Sequence, residues 1–248
     1  MTKTSKNVLV WALFATNICF MVASFSVFLM RDEALVRSLG EEDGLFQNVR
    51  TVFFFLVSAI FFVLFFRRRT QQPLPVVGTR WNLFYLGLAV LFLFGGGEDI
   101  SWGQRIFGWG TPEILNQYNL QKEISIHNLA IFDTTDRANL LNMDRLYIIF
   151  QMMFGIAIPV GWRASSRLRS TLARLSFPLM SLRLGLLFLV DYAVFKIVWA
   201  LVSQNVHYSL NEIRQVPTAF LFLAFAVTEL AGPSYSPSGE YNPPFRSG

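Results

Sequence analysis

Cysteine is nearly absent. Cys19 is the only one in 248 residues, so neither an intramolecular disulfide nor a Cys-based metal site can form. Histidine is almost as scarce, and any imidazole chemistry rests on His127 and His207 alone. Charged residues make up 15% of the chain, well below the roughly 25% of an average soluble domain. There is no Gly-x-Ser-x-Gly elbow, no His-Glu-x-x-His helix, no nucleotide-binding loop and no Asn-x-Ser/Thr sequon. No inverted repeat of the kind many secondary transporters carry is visible.

What is present is apolar. The chain is 53% hydrophobic and 16% aromatic, with 26 Phe and a mean hydropathy of +0.43, a composition that suits a polytopic membrane protein. Six stretches approach the ~20 helical residues that a bilayer core requires. They run over about 8–30, 45–66, 81–103, 143–162, 184–207 and 213–231. The first is too long for a signal-peptide core and lacks a small-residue cleavage site, so it reads as an uncleaved anchor. These spans predict an all-α transmembrane bundle, a single domain over 1–231. Residues 232–248, rich in Pro, Gly and Ser, read as a disordered cytoplasmic tail.

Charge fixes the orientation. Lys3 and Lys6, the Arg67–Arg69 run with Arg80, and the five arginines between 163 and 183 fall on one side if six spans intervene. That side then carries twelve Lys/Arg and two acids, and the other eight Lys/Arg and thirteen acids. This is the asymmetry of membrane insertion, with both termini cytoplasmic. The net charge of +5 is therefore topological, and it does not indicate nucleic-acid binding.

The outer connections hold the polar residues. The 104–142 segment is too long for a bare loop and should carry one or two short interfacial helices. Thr111-Pro112-Glu113 reads as one helix start, and Asp133-Thr134-Thr135-Asp136 as another. The 208–212 segment reads as a tight turn between the last two spans.

Glu98 and Asp99 sit where span three should still be in hydrocarbon, a placement that usually has a purpose. On a continuing helix Glu98, Ser101 and Arg105 would share a face, and Gly95-Gly96-Gly97 before them would admit a close neighbour. The alternative is a simple Glu98–Arg105 pair at the water boundary. Glu123 and His127 are four apart, so a helix would present both to a metal or a proton, although such pairs are often solvated surface groups. In span five, Lys196, Ser203 and His207 would form one polar stripe. Lys196 is expected to face the bundle interior, with an acid of span two or three as partner. Asp191, about 140° round the helix from Lys196, must find a partner elsewhere. Glu42 and Asp43, before span two, are weaker candidates. Two histidines with one or two carboxylates would make a zinc-type set with an open position for water.

The stretch Gly97-Glu98-Asp99-Ile100-Ser101-Trp102-Gly103-Gln104-Arg105, continuing through Thr111-Pro112-Glu113 to Glu123, His127 and Asn128, resembles the signature of a bacterial family. Its members are polytopic membrane proteins without an established function, usually with Gly-Glu-Glu-Ile-Ser-Trp-Gly-Gln at this point. Asp99 stands where that family has its second Glu. The likeness covers about 40–130 and implies a bacterial inner-membrane location and a shared site. A looser similarity, to the alkaline ceramidase superfamily, implies zinc held by acids and histidines. The paired His-x-x-x-His of that group's last span has no counterpart here.

The expected function is a metal-assisted or acid–base hydrolase or transferase acting on a membrane lipid or lipid-linked substrate at the outer face. Glu98 and Asp99 would serve as base or ligands, and Glu123, His127 and His207 as ligands or proton carriers. Ser101 and Arg105 would position substrate. A proton-coupled transporter relaying through Glu98, Lys196 and His207, or a membrane scaffold subunit, are the alternatives. An enzyme predicts an apolar inner half, whereas a transporter predicts a polar path past Lys196 and Asp191.

Overall fold

The computed structural model describes residues 3–30, 32–41, 44–68, 81–126, 128–132 and 141–232. Glu42, Asp43, His127, the 133–136 helix start and the tail from 233 lie outside them. The elements in chain order are α1 (Lys3–Ser26), α2 (Glu33–Leu39), α3 (Leu45–Arg67), α4 (Leu83–Asp99), α5 (Gln104–Phe107) and α6 (Glu113–Tyr118). Then follow α7 (Met143–Met152), α8 (Ile158–Ala164), α9 (Ser166–Arg174), α10 (Leu182–Leu201) and α11 (His207–Ala231). Met153–Ala157 is one π-helical turn that joins α7 to α8 without a break. The protein is an all-α bundle.

Among the described residues, five helical segments are long and apolar enough to cross a membrane: Asn7–Met30, Leu45–Arg67, Met143–Ala164, Leu182–Leu201 and Gln204–Ala231. The sixth expected span, α4, has 17 residues, at the short end of what crosses a bilayer. It stops at Asp99 rather than near 103. The last two spans are joined not by 208–212, which is helical, but by 202–206.

Buried positions on α3 fall at Gln47, Arg50, Thr51, Phe54, Val57, Ser58, Phe61 and Leu64, and on α4 at Tyr85, Leu88, Ala89 and Phe92. Steps of three and four place each set on one stripe, and the two stripes face each other. In α11, 72% of the most apolar window is buried, against 22–39% in the other four spans, which makes α11 the central helix. Phe222 of α11 is the hub of an aromatic layer, with Phe92, Phe150, Phe154 and Phe188 at ring-centroid distances of 5.0–6.4 Å.

The helices alternate in direction. Gln47 and Arg50 near the start of α3 meet Asp99 at the end of α4 and Glu212 near the start of α11. At the opposite end, Tyr85 Oη donates to Glu229 Oε2 (2.9 Å), Arg68 Nη2 to the Leu230 carbonyl (3.2 Å) and Asn82 Nδ2 to the Ser176 carbonyl (2.8 Å). These two polar clusters lie at opposite ends, with the Phe222 layer between them. Where the π-helical turn meets α10, Gly155 and Gly185 bring two backbones into direct contact.

Candidate functional site

The site begins at the end of α4. Gly95, Gly96 and Gly97 do admit close neighbours, but these are aromatic rings rather than a backbone. A Cβ on Gly96 would lie 2.9 Å from the Phe55 ring, and one on Gly97 2.8 Å from the Trp102 ring. Beyond Asp99, three successive residues take left-handed backbone: Ser101 (φ 47°), Trp102 (φ 54°) and Gly103 (φ 80°). Each non-glycine residue in that region costs about 1–2 kcal/mol, so the surrounding contacts must hold the turn in place. Trp102 folds back over Gly97, and its Nε1 donates to Glu98 Oε1 (2.5 Å). The helical face expected to unite Glu98, Ser101 and Arg105 therefore does not form, because the helix ends before Ser101. The Arg105 side chain lies outside the described residues.

Asp99 is held by a partner that the sequence reading passed over. Arg50 forks onto it, Nε to Oδ2 and Nη2 to Oδ1, both at 2.9 Å. Thr51 Oγ1 adds a bond to Oδ2 (3.1 Å), and Gln47 Nε2 donates to the Asp99 carbonyl (2.7 Å). Arg50 Nη1 reaches across to Glu212 Oε2 (2.8 Å) and Gln215 Oε1 (2.5 Å) on α11. One buried guanidinium thus ties three spans together, its five donors suiting two carboxylates better than an ammonium would. A signal existed: an arginine six residues into an apolar span needs an acid, and Asp99 is an acid at the matching depth. Asp99 is a structural partner in this arrangement, not a free base.

Against this node packs a lid, described over 104–126 and 128–132. Ser101, 1% exposed, donates its hydroxyl to Glu123 Oε2 (2.5 Å). Glu98 Oε2 accepts from the Ile126 N–H (2.6 Å), which clips the lid to the end of α4. Gln104 accepts from the Ile124 N–H (2.6 Å) and donates to Thr111 Oγ1 (2.7 Å). The expected helix start at Thr111-Pro112-Glu113 appears as α6, with Pro112 as its capping residue. Thr111 does not cap it; its hydroxyl bonds the Lys122 carbonyl (2.5 Å). Asn119 braces the return strand of the loop, donating to the Ser125 carbonyl and accepting from the Gln121 N–H. No helix forms over 119–126, so Glu123 is not presented from a helical face.

His207, Ser203 and Lys196 sit apart from this network. His207 opens α11, stacks on Trp199 (3.8 Å between centroids) and has Nε2 3.1 Å from the Trp199 carbonyl. Ser203 Oγ bonds Glu33 of α2 (2.7 Å). The stripe expected from Lys196, Ser203 and His207 fails because α10 ends at Leu201 and the chain turns. Lys196 does not face the interior. It is exposed, with Nζ 5.4–6.0 Å from the ring centroids of Tyr192, Phe195 and Trp199 on its own helix. Among the described residues no three of His, Cys, Asp and Glu gather as a metal set. Glu123 is engaged by Ser101 and His207 by Trp199.

No protein-family model matches the chain, and neither the curated proteins nor the solved structures searched give a match. The chemistry has to be read from the residues alone. A hydroxyl held on a strained turn, with a carboxylate accepting its proton, can deliver a nucleophile to an acyl or phosphoryl group.

Proposed function

We propose that the protein is an acid–base hydrolase or transferase of a bacterial inner membrane, acting on a lipid or lipid-linked substrate at the outer face. Both termini are cytoplasmic in this reading. The observation that carries it is Ser101, in left-handed backbone at a span end, with its hydroxyl on Glu123. Ser101, expected from the sequence to position substrate, becomes the nucleophile. Its oxygen bonds the carbonyl carbon of an ester or amide while the proton passes to Glu123. The bond to the leaving group then breaks, and Glu123 returns the proton to that alcohol or amine. Water, or the acceptor of a transfer, releases the acyl group by the same steps in reverse. Glu98 positions the site through Trp102 and Ile126.

Two features favour a lipid substrate. Ile106, Phe107, Trp109, Ile114, Tyr118 and Leu120 of the lid are each more than half exposed, a surface suited to the membrane interface. Between the two polar ends the bundle is closed by the Phe222 layer, which suits a one-sided site better than a path through the membrane. Because Ser101 is buried, the lid must lift for substrate to enter, and contact with lipid would favour the lifted form.

The test uses the protein in lipid nanodiscs and a long-chain alkyl fluorophosphonate, with the adduct located by mass spectrometry. The expected result is labelling at Ser101, lost in Ser101→Ala and slowed at least tenfold in Glu123→Gln, the lower range of a general base's contribution being about 10²-fold. A folded parent protein that carries no adduct at Ser101 would remove the nucleophile and the reading with it.

A further inference from the structure

Midway along α10, Asp191 is fully buried, as are Asn17 of α1 and Arg214 of α11. The three helices pack together here: Met21, Phe25, Phe195 and Leu210 form one apolar cluster, with Ile18 and Tyr192 against it. Asn17 Nδ2 donates to the carbonyl of Pro217, one turn along α11 from Arg214 (2.8 Å). Arg214 lies with Cζ 4.7 Å from the Phe195 ring centroid and spends Nη2 on Asn211 Oδ1 (3.3 Å). Phe195 is one turn along α10 from Asp191, so the guanidinium lies at the level of the acid that the sequence left without a partner.

The two do not touch. Both carboxylate oxygens of Asp191, Nε and Nη1 of Arg214 and Oδ1 of Asn17 are buried without a hydrogen-bond partner among the described residues. Leaving an acid and a guanidinium uncompensated in a membrane interior costs several kcal/mol, so something must satisfy them. An anion would suit Arg214 and be repelled by Asp191. A cation would suit Asp191 and be repelled by Arg214. The ligand must be neutral, small, and both donor and acceptor. Water meets these requirements, and a buried water needs two to four polar partners of the kind this site offers.

We infer that Asn17, Asp191 and Arg214 bind bridging water in the middle of the bundle, forming a hydrated polar site enclosed by three spans. Water accepts from Nε and Nη1 of Arg214 and donates to Asp191 and to Asn17 Oδ1. The site gives the bundle one internal position where protons exchange with water. It stands independently of Ser101, and neither depends on the other.

The experiment is solid-state NMR of the full chain, labelled with ¹⁵N-arginine and ¹³C-phenylalanine, in lipid vesicles. Arg214 Nε is assigned through its contact with the Phe195 ring. Magnetisation started on water is expected to reach Arg214 Nε, at a rate close to that of the surface arginines. Asn17→Leu and Asp191→Leu are each expected to reduce the transfer where they fold. No transfer to Arg214 Nε in the parent protein would overturn the inference, as would a density map placing an Asp191 oxygen directly on Arg214 Nε or Nη1.

Discussion

Arg50→Met is expected to lower the unfolding free energy by about 3–5 kcal/mol, the cost of removing one partner from a buried ion pair. Arg50 is 5% exposed and its side chain meets Asp99 on α4 together with Glu212 and Gln215 on α11. Without it, Asp99 and Glu212 face each other across a low-dielectric interior with no cation between them. Arg50→Lys keeps the charge but loses the fork, so it should fall between parent and Arg50→Met. The double variant Arg50→Met/Asp99→Leu should recover part of the loss, because it removes a stranded charge along with its partner. Denaturant unfolding in mild detergent measures all three. If Arg50→Met lies within about 0.5 kcal/mol of the parent, as surface changes do, the node does not hold the bundle.

The second large effect is expected at Gly185. A side chain there would run into the backbone carbonyl of Gly155, and backbone cannot rotate aside as a flexible side chain can. Gly185→Ala should therefore cost at least the ~1–3 kcal/mol of an overpacked core, and Gly185→Val should prevent α10 from seating on the π-helical turn. Gly87 on α4 is the control. A Cβ there meets nothing within 4 Å, so Gly87→Ala should be neutral or stabilising by up to about 1 kcal/mol. Melting temperature and monodispersity in detergent separate the two. Equal behaviour of Gly185→Ala and Gly87→Ala would show that the helices can part at no cost.

Periodicity and hydropathy carried most of the fold. Span two was legible to within a residue, at 45–66 against Leu45–Arg67, because an apolar run bounded by Gly44 and a cluster of arginines has clear ends. The lid helix after Thr111 was legible from a proline followed by an acid. The last span was not. His207-Tyr208-Ser209-Leu210-Asn211-Glu212 looks like a turn by polarity, but its Ser209 and Leu210 face the bundle and the segment is helical. Polarity along a chain does not distinguish a solvated turn from a helix whose polar groups are buried among partners.

The candidate residues divide in the same way. Glu98, Asp99, Ser101 and Glu123 do gather at one end of the bundle. Their roles could not be read from spacing, because the helix that would set the spacing stops at Asp99. Three left-handed residues in a row are a tertiary outcome, held by Trp102 against Gly97 and by Glu123 against Ser101. Lys196 shows the converse. Its depth in a span suggested an inward partner, while it lies exposed beside three rings of its own helix.

By itself the sequence determined that the chain is a bundle of apolar helices and which of their ends carry the acids. Hydrophobicity and charge act residue by residue and need no knowledge of neighbours. Only the tertiary structure decided who pairs with whom: Arg50 with Asp99 and Glu212, Ser101 with Glu123, Tyr85 with Glu229. Those pairings join residues far apart in the chain, and they follow from how the helices pack, which no local pattern records.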